Sequence, residues 1–300
     1  MADNEGIGGA VASHYNNLQE AGLDQRKDSR IFHMRNFNNW IKSMLINEYS
    51  RKIHSSKSQS RDQDRRDRED GGQDLRDSAQ NFNVLDIGCG KGGDLQKWGK
   101  ARVNHYVGVD IAQTSVEQAK DRYSGRRCNF SADFFAADCT KTDLDPLYKD
   151  KNVTFDIVSC QFAFHYCFES VEQADCMLRN ITRRLKKGGY FIGTTIDAND
   201  IVARVRAQNN SNSVFGINFD PPLSEEDPPP IFGAKYNFHL EGVVDCPEFL
   251  VHFNTFIKLA ERHGLTLICK RRFDRYFESV SNILFSLFKL NPRKDSISYN

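Results

Sequence analysis

The 300-residue sequence has no Cys-x-x-Cys spacing, no apolar run near the length of a membrane span and no excess of either charge. Each absence excludes something. The cysteines, Cys89, Cys128, Cys139, Cys160, Cys167, Cys176, Cys246 and Cys269, stand singly, several of them inside apolar runs. That usage fits reduced thiols in an intracellular protein, and no metal site is expected. A bilayer crossing needs about 20 consecutive apolar residues. The acidic start, Met1-Ala2-Asp3-Asn4-Glu5, lacks the apolar stretch of a signal peptide. A chain without membrane contact is expected. Lys plus Arg number 41 against 40 Asp plus Glu, whereas proteins that grip long nucleic acids by their phosphates are usually more basic. Any contact with RNA should be local, inside a pocket.

What the sequence does contain is alternation. A polar leader over residues 1–30 gives way to Phe37, Trp40, Ile41, Met44, Leu45 and Tyr49, which recur at helical spacing. Asn38, Asn39 and Lys42 project from the opposite face of that helix. Residues 51–80 carry mixed charge, centred on the run from Arg61 to Asp70. With so few apolar groups the segment cannot repay its ordering entropy, so it reads as a disordered loop within the domain. From Asn83 onward short apolar runs alternate with helical ones. Strands are expected over 84–87, 105–110, 134–138, 155–160, 190–195 and 265–269, and helices over 93–100, 115–123, 170–185 and 249–262. Ser170 and Gln173 form a capping box. Such alternation implies an α/β fold: a doubly wound, mostly parallel, Rossmann-like sheet flanked by helices. The Asn/Ser- and Pro-rich stretch 205–230 reads as a surface insertion.

The first strand runs into Asp86-Ile87-Gly88-Cys89-Gly90-Lys91-Gly92-Gly93. Glycines there allow a tight turn and a close backbone approach to a ligand. Gly88, Gly90 and Gly93 satisfy G-x-G-x-x-G, and Asp110 ends the second strand where an acid binds an adenosine ribose. An NAD-dependent oxidoreductase therefore competes. Against it, Asp86 precedes Gly88 by two positions, giving Asp-x-Gly-x-Gly, and Asp138 ends the third strand as an acid for an adenine amine. Both features resemble Rossmann-like methyltransferases, and that resemblance favours S-adenosylmethionine. Asp110 alone is weak, since strand-end aspartates often simply cap helices.

Five ordered blocks carry a closer likeness: Arg35–Lys42, Leu85–Asp94, Ser159–Tyr166, Gly188–Thr195 and Leu240–Val251. Over about residues 11–272 the chain resembles the mRNA cap guanine-N7 methyltransferases. The resemblance implies a cap methyltransferase domain over 31–272 with cap-binding insertions, S-adenosyl-L-methionine as methyl donor, and guanine N7 of the 5′ cap as acceptor. By position, Lys42, Gly88, Asp110, Asp138, Gln161 and Tyr166 match cofactor contacts. Asn38, Asn39, Lys91, Lys97, Arg122, His165 and Glu248 match the cap-binding set. Phe162, Phe164 and Tyr236 are candidate stacking surfaces. No catalytic base is expected, because N7 carries a lone pair and no proton. Capped mRNA is the implied partner, with the capping or transcription machinery and a small RNA-binding activating subunit beside it, and the nucleus is the implied location. Family members continue beyond a segment like 273–278 into a further helix and a strand pair. Residues 273–300 hold no match for that strand pair, so the tail reads as divergent or shortened. A catalytically impaired cofactor- or RNA-binding form is the alternative function.

Overall fold

The computed structural model describes residues 7–18, 28–66, 82–224 and 226–280. In chain order the elements are α1 (Ile7–Asn17), α2 (Phe32–Arg66), β1 (Phe82–Ile87), α3 (Leu95–Lys100), β2 (Val103–Asp110), α4 (Gln113–Ser124), β3 (Ser131–Ala136), β4 (Phe155–Gln161), α5 (Val171–Thr182), β5 (Leu185–Thr194), α6 (Ala198–Arg206), β6 (Phe215–Asn218), β7 (Lys235–Leu240), β8 (Val244–Phe249) and α7 (Phe253–Arg262). Five strands form one sheet in the order β3-β2-β1-β4-β5, and every neighbouring pair is parallel. The expected α/β class and doubly wound sheet are therefore present. The chain changes direction across the sheet between β1 and β4, and ligands of such sheets bind beyond the strand ends at that switch point.

Strand sequences explain the layering. The central strands β1 and β4 are buried on both faces, so they read as continuous apolar runs. On one face Leu85, Val107 and Val158 pack with Met177, Leu178 and Ile181 of α5. On the other, Val84, Tyr106 and Ile157 meet Ile46, Tyr49 and Ile53 of α2, Trp98 of α3 and Val116 of α4. Ser170 caps α5 as expected, its hydroxyl accepting from the Gln173 N–H at 3.2 Å. Strands β6, β7 and β8 form a separate antiparallel sheet over Ile201, Phe219 and Tyr236. It gives the 205–230 insertion an ordered strand.

Three expectations need correction. The segment from 51 is not a loop as far as Arg66: α2 continues through it. Ile53 is buried, and Lys57 forms a 2.9 Å ion pair with the buried Asp156. Two tertiary anchors thus hold a stretch whose composition is otherwise polar; the rest of 51–80 lies outside the described residues. The 1–30 leader contains α1, whose Val11 is 4% exposed. Finally, 265–269 is irregular, and Ile268 is 63% exposed. Alternating apolar residues become a strand only where a neighbour supplies the hydrogen-bond ladder, and no described strand pairs with this one. The chain divides into two units, 1–265 and 266–300. Within the second, residues 273–280 are helical and Arg275 pairs with Glu278 at 2.9 Å.

Candidate active site

The glycine turn after β1 is built for close approach. Gly88 has φ +71°, a conformation that L side chains rarely adopt, and a Cβ placed on it would lie 2.6 Å from Ala163 Cβ. The Gly88 and Cys89 amides both donate to the Val109 carbonyl, at 2.8 and 3.0 Å, which binds the turn to β2. Asp110 completes the link. Its Oδ2 accepts from Gly90 N–H at 2.8 Å and its Oδ1 from Ala112 N–H at 3.0 Å. Burial pushes this carboxyl above its ordinary range, and the backbone donors only partly offset that.

A cavity of about 230 Å³ opens along these strand ends. Gly88, Asp110, Asp138, Gln161 and Tyr166 of the expected cofactor set all line it. Apolar walls come from Ile87, Ile111, Ala163 and Met177, and α1 contributes Ile7, Gly8, Val11 and Tyr15. Asp138 lies two residues past β3. Its Oδ1 accepts from Thr140 N–H and Oγ1 at 2.9 and 2.7 Å, while a Cβ on Gly8 would stand 2.9 Å from Oδ2. Apolar walls, carboxylates at two strand ends and a glycine with no space for a side chain fit an adenosyl group. Phe162 also lines the cavity with φ +59°, a conformation worth roughly 1–3 kcal/mol of strain in a non-glycine residue. Its N–H is held by the Thr194 carbonyl at 3.0 Å and hydroxyl at 3.1 Å.

Lys42 is not among the lining residues. It pairs with Asp94 Oδ2 at 2.9 Å, while Lys97 takes Oδ1 at 2.6 Å. Burial acts to raise the Asp94 carboxyl, but the two lysines outweigh it and hold it below the ordinary range. Asp94 is also the N-cap residue of α3. In a dinucleotide fold the helix after the glycine turn receives an anionic pyrophosphate, and a carboxylate there is the wrong charge. The NAD reading loses its main support.

Behind the turn, burial first and the Asp94 charge second push Asp86 up to about 7. Tyr106 donates its hydroxyl to Asp86 Oδ2 at 2.9 Å. A raised native pKa stabilises the fold fully below the unfolded-state value near 4, and that stability is lost as pH rises through about 7. Asp86→Asn keeps an acceptor for Tyr106 and cannot ionise. Between pH 4 and 8 the wild type should therefore lose up to roughly 4 kcal/mol relative to the variant. Urea unfolding at both ends of that range reads the difference; parallel pH profiles for the two proteins would refute the assignment.

Of the expected cap set, the structure brings His165 and Glu248 together. His165 Nε2 is 3.4 Å from Glu248 Oε1, and both residues are buried. Tyr236 donates to Glu248 Oε2 at 2.7 Å. Burial pushes the Glu248 carboxyl up, but His165 and the Tyr236 hydroxyl together bring it below the ordinary range. Glu248 lies on β8, and α7 begins only at Phe253, four residues later than the expected helix 249–262. Asn38 and Asn39 lie on α2 just before Lys42, Lys91 donates to the Leu18 carbonyl at 2.9 Å, and Arg122 sits in the last turn of α4. None of these four lines the cavity. Phe164 and Tyr236 are buried at 3% and 1% exposure, which rules both out as open stacking platforms.

The structure adds Tyr15, whose hydroxyl lies 3.3 Å from that of Tyr166, and Cys246, whose Sγ lies 3.4 Å from the same Tyr166 oxygen. Their sequence surroundings carry no signal for this; the contacts span 151 and 80 residues. Among the described residues no group of metal-binding side chains occurs and no helix is long and apolar enough to cross a membrane.

Comparison with known proteins then decides the family. The model of the mRNA (guanine-N(7))-methyltransferase domain matches residues 1–62 and 72–291. The chain belongs to this family. It is 50% identical over 282 residues to an mRNA cap guanine-N(7) methyltransferase of Drosophila melanogaster, covering 89% of this chain and 61% of that protein. The Caenorhabditis briggsae protein of the same description is 41% identical, with 91% and 68% covered. In Oryza sativa subsp. japonica, mRNA cap guanine-N(7) methyltransferase 1 is 39% identical, with 89% and 68% covered. The chain thus spans about three fifths to two thirds of these relatives. The family match runs past residue 272 to 291, and its one gap, 63–71, falls in the mixed-charge stretch.

Proposed function

We propose that the chain transfers a methyl group from S-adenosylmethionine to N7 of the guanine in GpppN-capped RNA. The observation that supports this most is the buried Glu248–His165 pair, set next in sequence and in ring contact to Tyr166 of the cavity lining. When bound, the cofactor supplies an electrophilic methyl on a positively charged sulfur. The chain's residues do the rest by holding and orienting. Asp110 and Asp138 suit the ribose hydroxyls and the adenine amine as acceptors, and Gly88 leaves room for the backbone to approach. Glu248 is kept ionised, so it accepts from the N–H donors on the guanine Watson–Crick edge and favours the positive charge the base gains. No side chain needs to remove a proton. Alignment of this kind supplies up to ~7–11 kcal/mol of barrier reduction in favourable systems.

Lys91, Lys97 and Arg122 are the cations proposed for the triphosphate bridge, Asn38 and Asn39 belong to the same proposed cap set, and Lys42 serves the cofactor. Capped mRNA is the partner, and residence in the nucleus follows because capping accompanies transcription. Contact with the capping or transcription machinery and a small RNA-binding activating subunit belongs to the same proposal.

Incubation of the full chain with labelled S-adenosylmethionine and GpppN-capped RNA tests it. Label should enter the cap, and Asp110→Ala should reduce incorporation by about 30-fold or more through lost cofactor affinity. Saturable binding of S-adenosylhomocysteine without turnover would instead establish the impaired, binding-only form.

A further inference from the structure

Tyr236 and Glu248 are direct partners across the antiparallel β7–β8 pair, so their side chains emerge on the same face of the sheet. Both are buried, at 1% and 4% exposure. The 2.7 Å bond from the Tyr236 hydroxyl fixes Oε2 of the carboxylate. The other oxygen is held less firmly. His165 Nε2 stands 3.4 Å from Oε1 without hydrogen-bond alignment, and neither ring nitrogen of this buried histidine has a hydrogen-bond partner among the described residues. The carboxylate therefore has one oxygen, Oε2, clamped by Tyr236 and the other, Oε1, facing a histidine unpartnered among the described residues.

The terminal torsion of a glutamate is soft, with a broad distribution about its two-fold minimum. A carboxylate that reads two N–H groups in one plane must have that torsion fixed before the base arrives. A sheet-borne phenol at 2.7 Å can do this, because its own position is set by the strand register.

We infer that Tyr236 is a positioning residue for base selection: its hydroxyl sets the plane of the Glu248 carboxylate so that the acid distinguishes guanine, with N–H donors at N1 and the 2-amino group, from a purine lacking the 2-amino group. The inference rests on Glu248 being the residue that meets the guanine. Tyr236 acts through Glu248 and touches no substrate atom.

The test compares kcat/KM for GpppN- and IpppN-capped RNA; hypoxanthine keeps N1–H and N7 but has no 2-amino group. Wild type should prefer guanine by about tenfold or more, as expected of a donor read by a buried acceptor. Tyr236→Phe, which removes one oxygen, should shrink that preference to within about threefold, and the S-adenosylhomocysteine Kd should stay within about twofold of wild type. An undiminished guanine preference in Tyr236→Phe would overturn the positioning role and leave the phenol a packing group. Glu248→Gln is run beside it: if that variant also keeps the full preference, the reading of Glu248 itself fails, a separate outcome. Should Tyr236→Phe lose S-adenosylhomocysteine binding through misfolding, Tyr236→Met replaces it, since a flexible apolar side chain can fill the space and has no hydroxyl. A guanine preference reduced in that variant supports the inference, and an unchanged one overturns it.

Discussion

Glu248→Ala is expected to lower kcat/KM for capped RNA by about 10²–10³-fold and to leave the Kd for S-adenosylhomocysteine within about twofold. The magnitude comes from the burial of the acid. Each charge-assisted hydrogen bond it offers a base is worth about 1.5–3 kcal/mol. Truncation also strands the Tyr236 hydroxyl, whose present acceptor is Glu248 Oε2, and removes the charge facing His165. A combined loss near 3–4 kcal/mol corresponds to the stated range. Cofactor affinity is spared because Glu248 does not line the cavity. Steady-state methylation and calorimetry together read the outcome, and a loss below about fivefold in kcat/KM would remove Glu248 from the site. The same truncation has a signature in stability. With its native pKa held below the ordinary value, Glu248 contributes stability present above that ordinary value and lost as pH falls through the native pKa. Unfolding of the alanine variant should lack this component of acid sensitivity.

The second large effect is expected from Gly88→Ala. At φ +71° an added Cβ costs about 1–2 kcal/mol in backbone energy alone. It would also stand 2.6 Å from Ala163 Cβ, closer than two carbons pack. Ala163 follows Phe162, which already holds a left-handed conformation and lines the cavity, so relief of the clash displaces the cavity wall. S-Adenosylhomocysteine affinity should fall at least 30-fold, with a lower Tm. The double variant Gly88→Ala/Ala163→Gly removes the collision but not the positive φ, and should recover part of the affinity. Wild-type affinity in the single variant would show that the turn does not approach the ligand.

The sheet was legible because its central strands are buried on both faces: Val84-Leu85-Asp86-Ile87 and Phe155 to Cys160 are apolar runs too short for helices and bounded by turns. The glycine turn and the acids at 110 and 138 were legible for a related reason, since a short loop between a strand and a helix leaves little latitude. What escaped were features held by contacts distant in sequence. The C-terminal half of α2 has the composition of a loop and owes its helix to Ile53 and the Lys57–Asp156 pair. Glu248 resembles a surface acid until β7 places Tyr236 opposite it. Lys42 looks like a free cation on a polar helix face until Asp94, 52 residues away, takes it. Residues 265–269 erred the other way, since apolar alternation does not reveal whether a partner strand exists.

Helix α2 runs without interruption from Phe32 to Arg66. At about 1.5 Å per residue, its far end lies roughly 40 Å along the axis from Asn38. The one gap in the family match, 63–71, opens in the last turn of this helix. Differences among family members at that end therefore fall far from the helix turn that carries Asn38, Asn39 and Lys42.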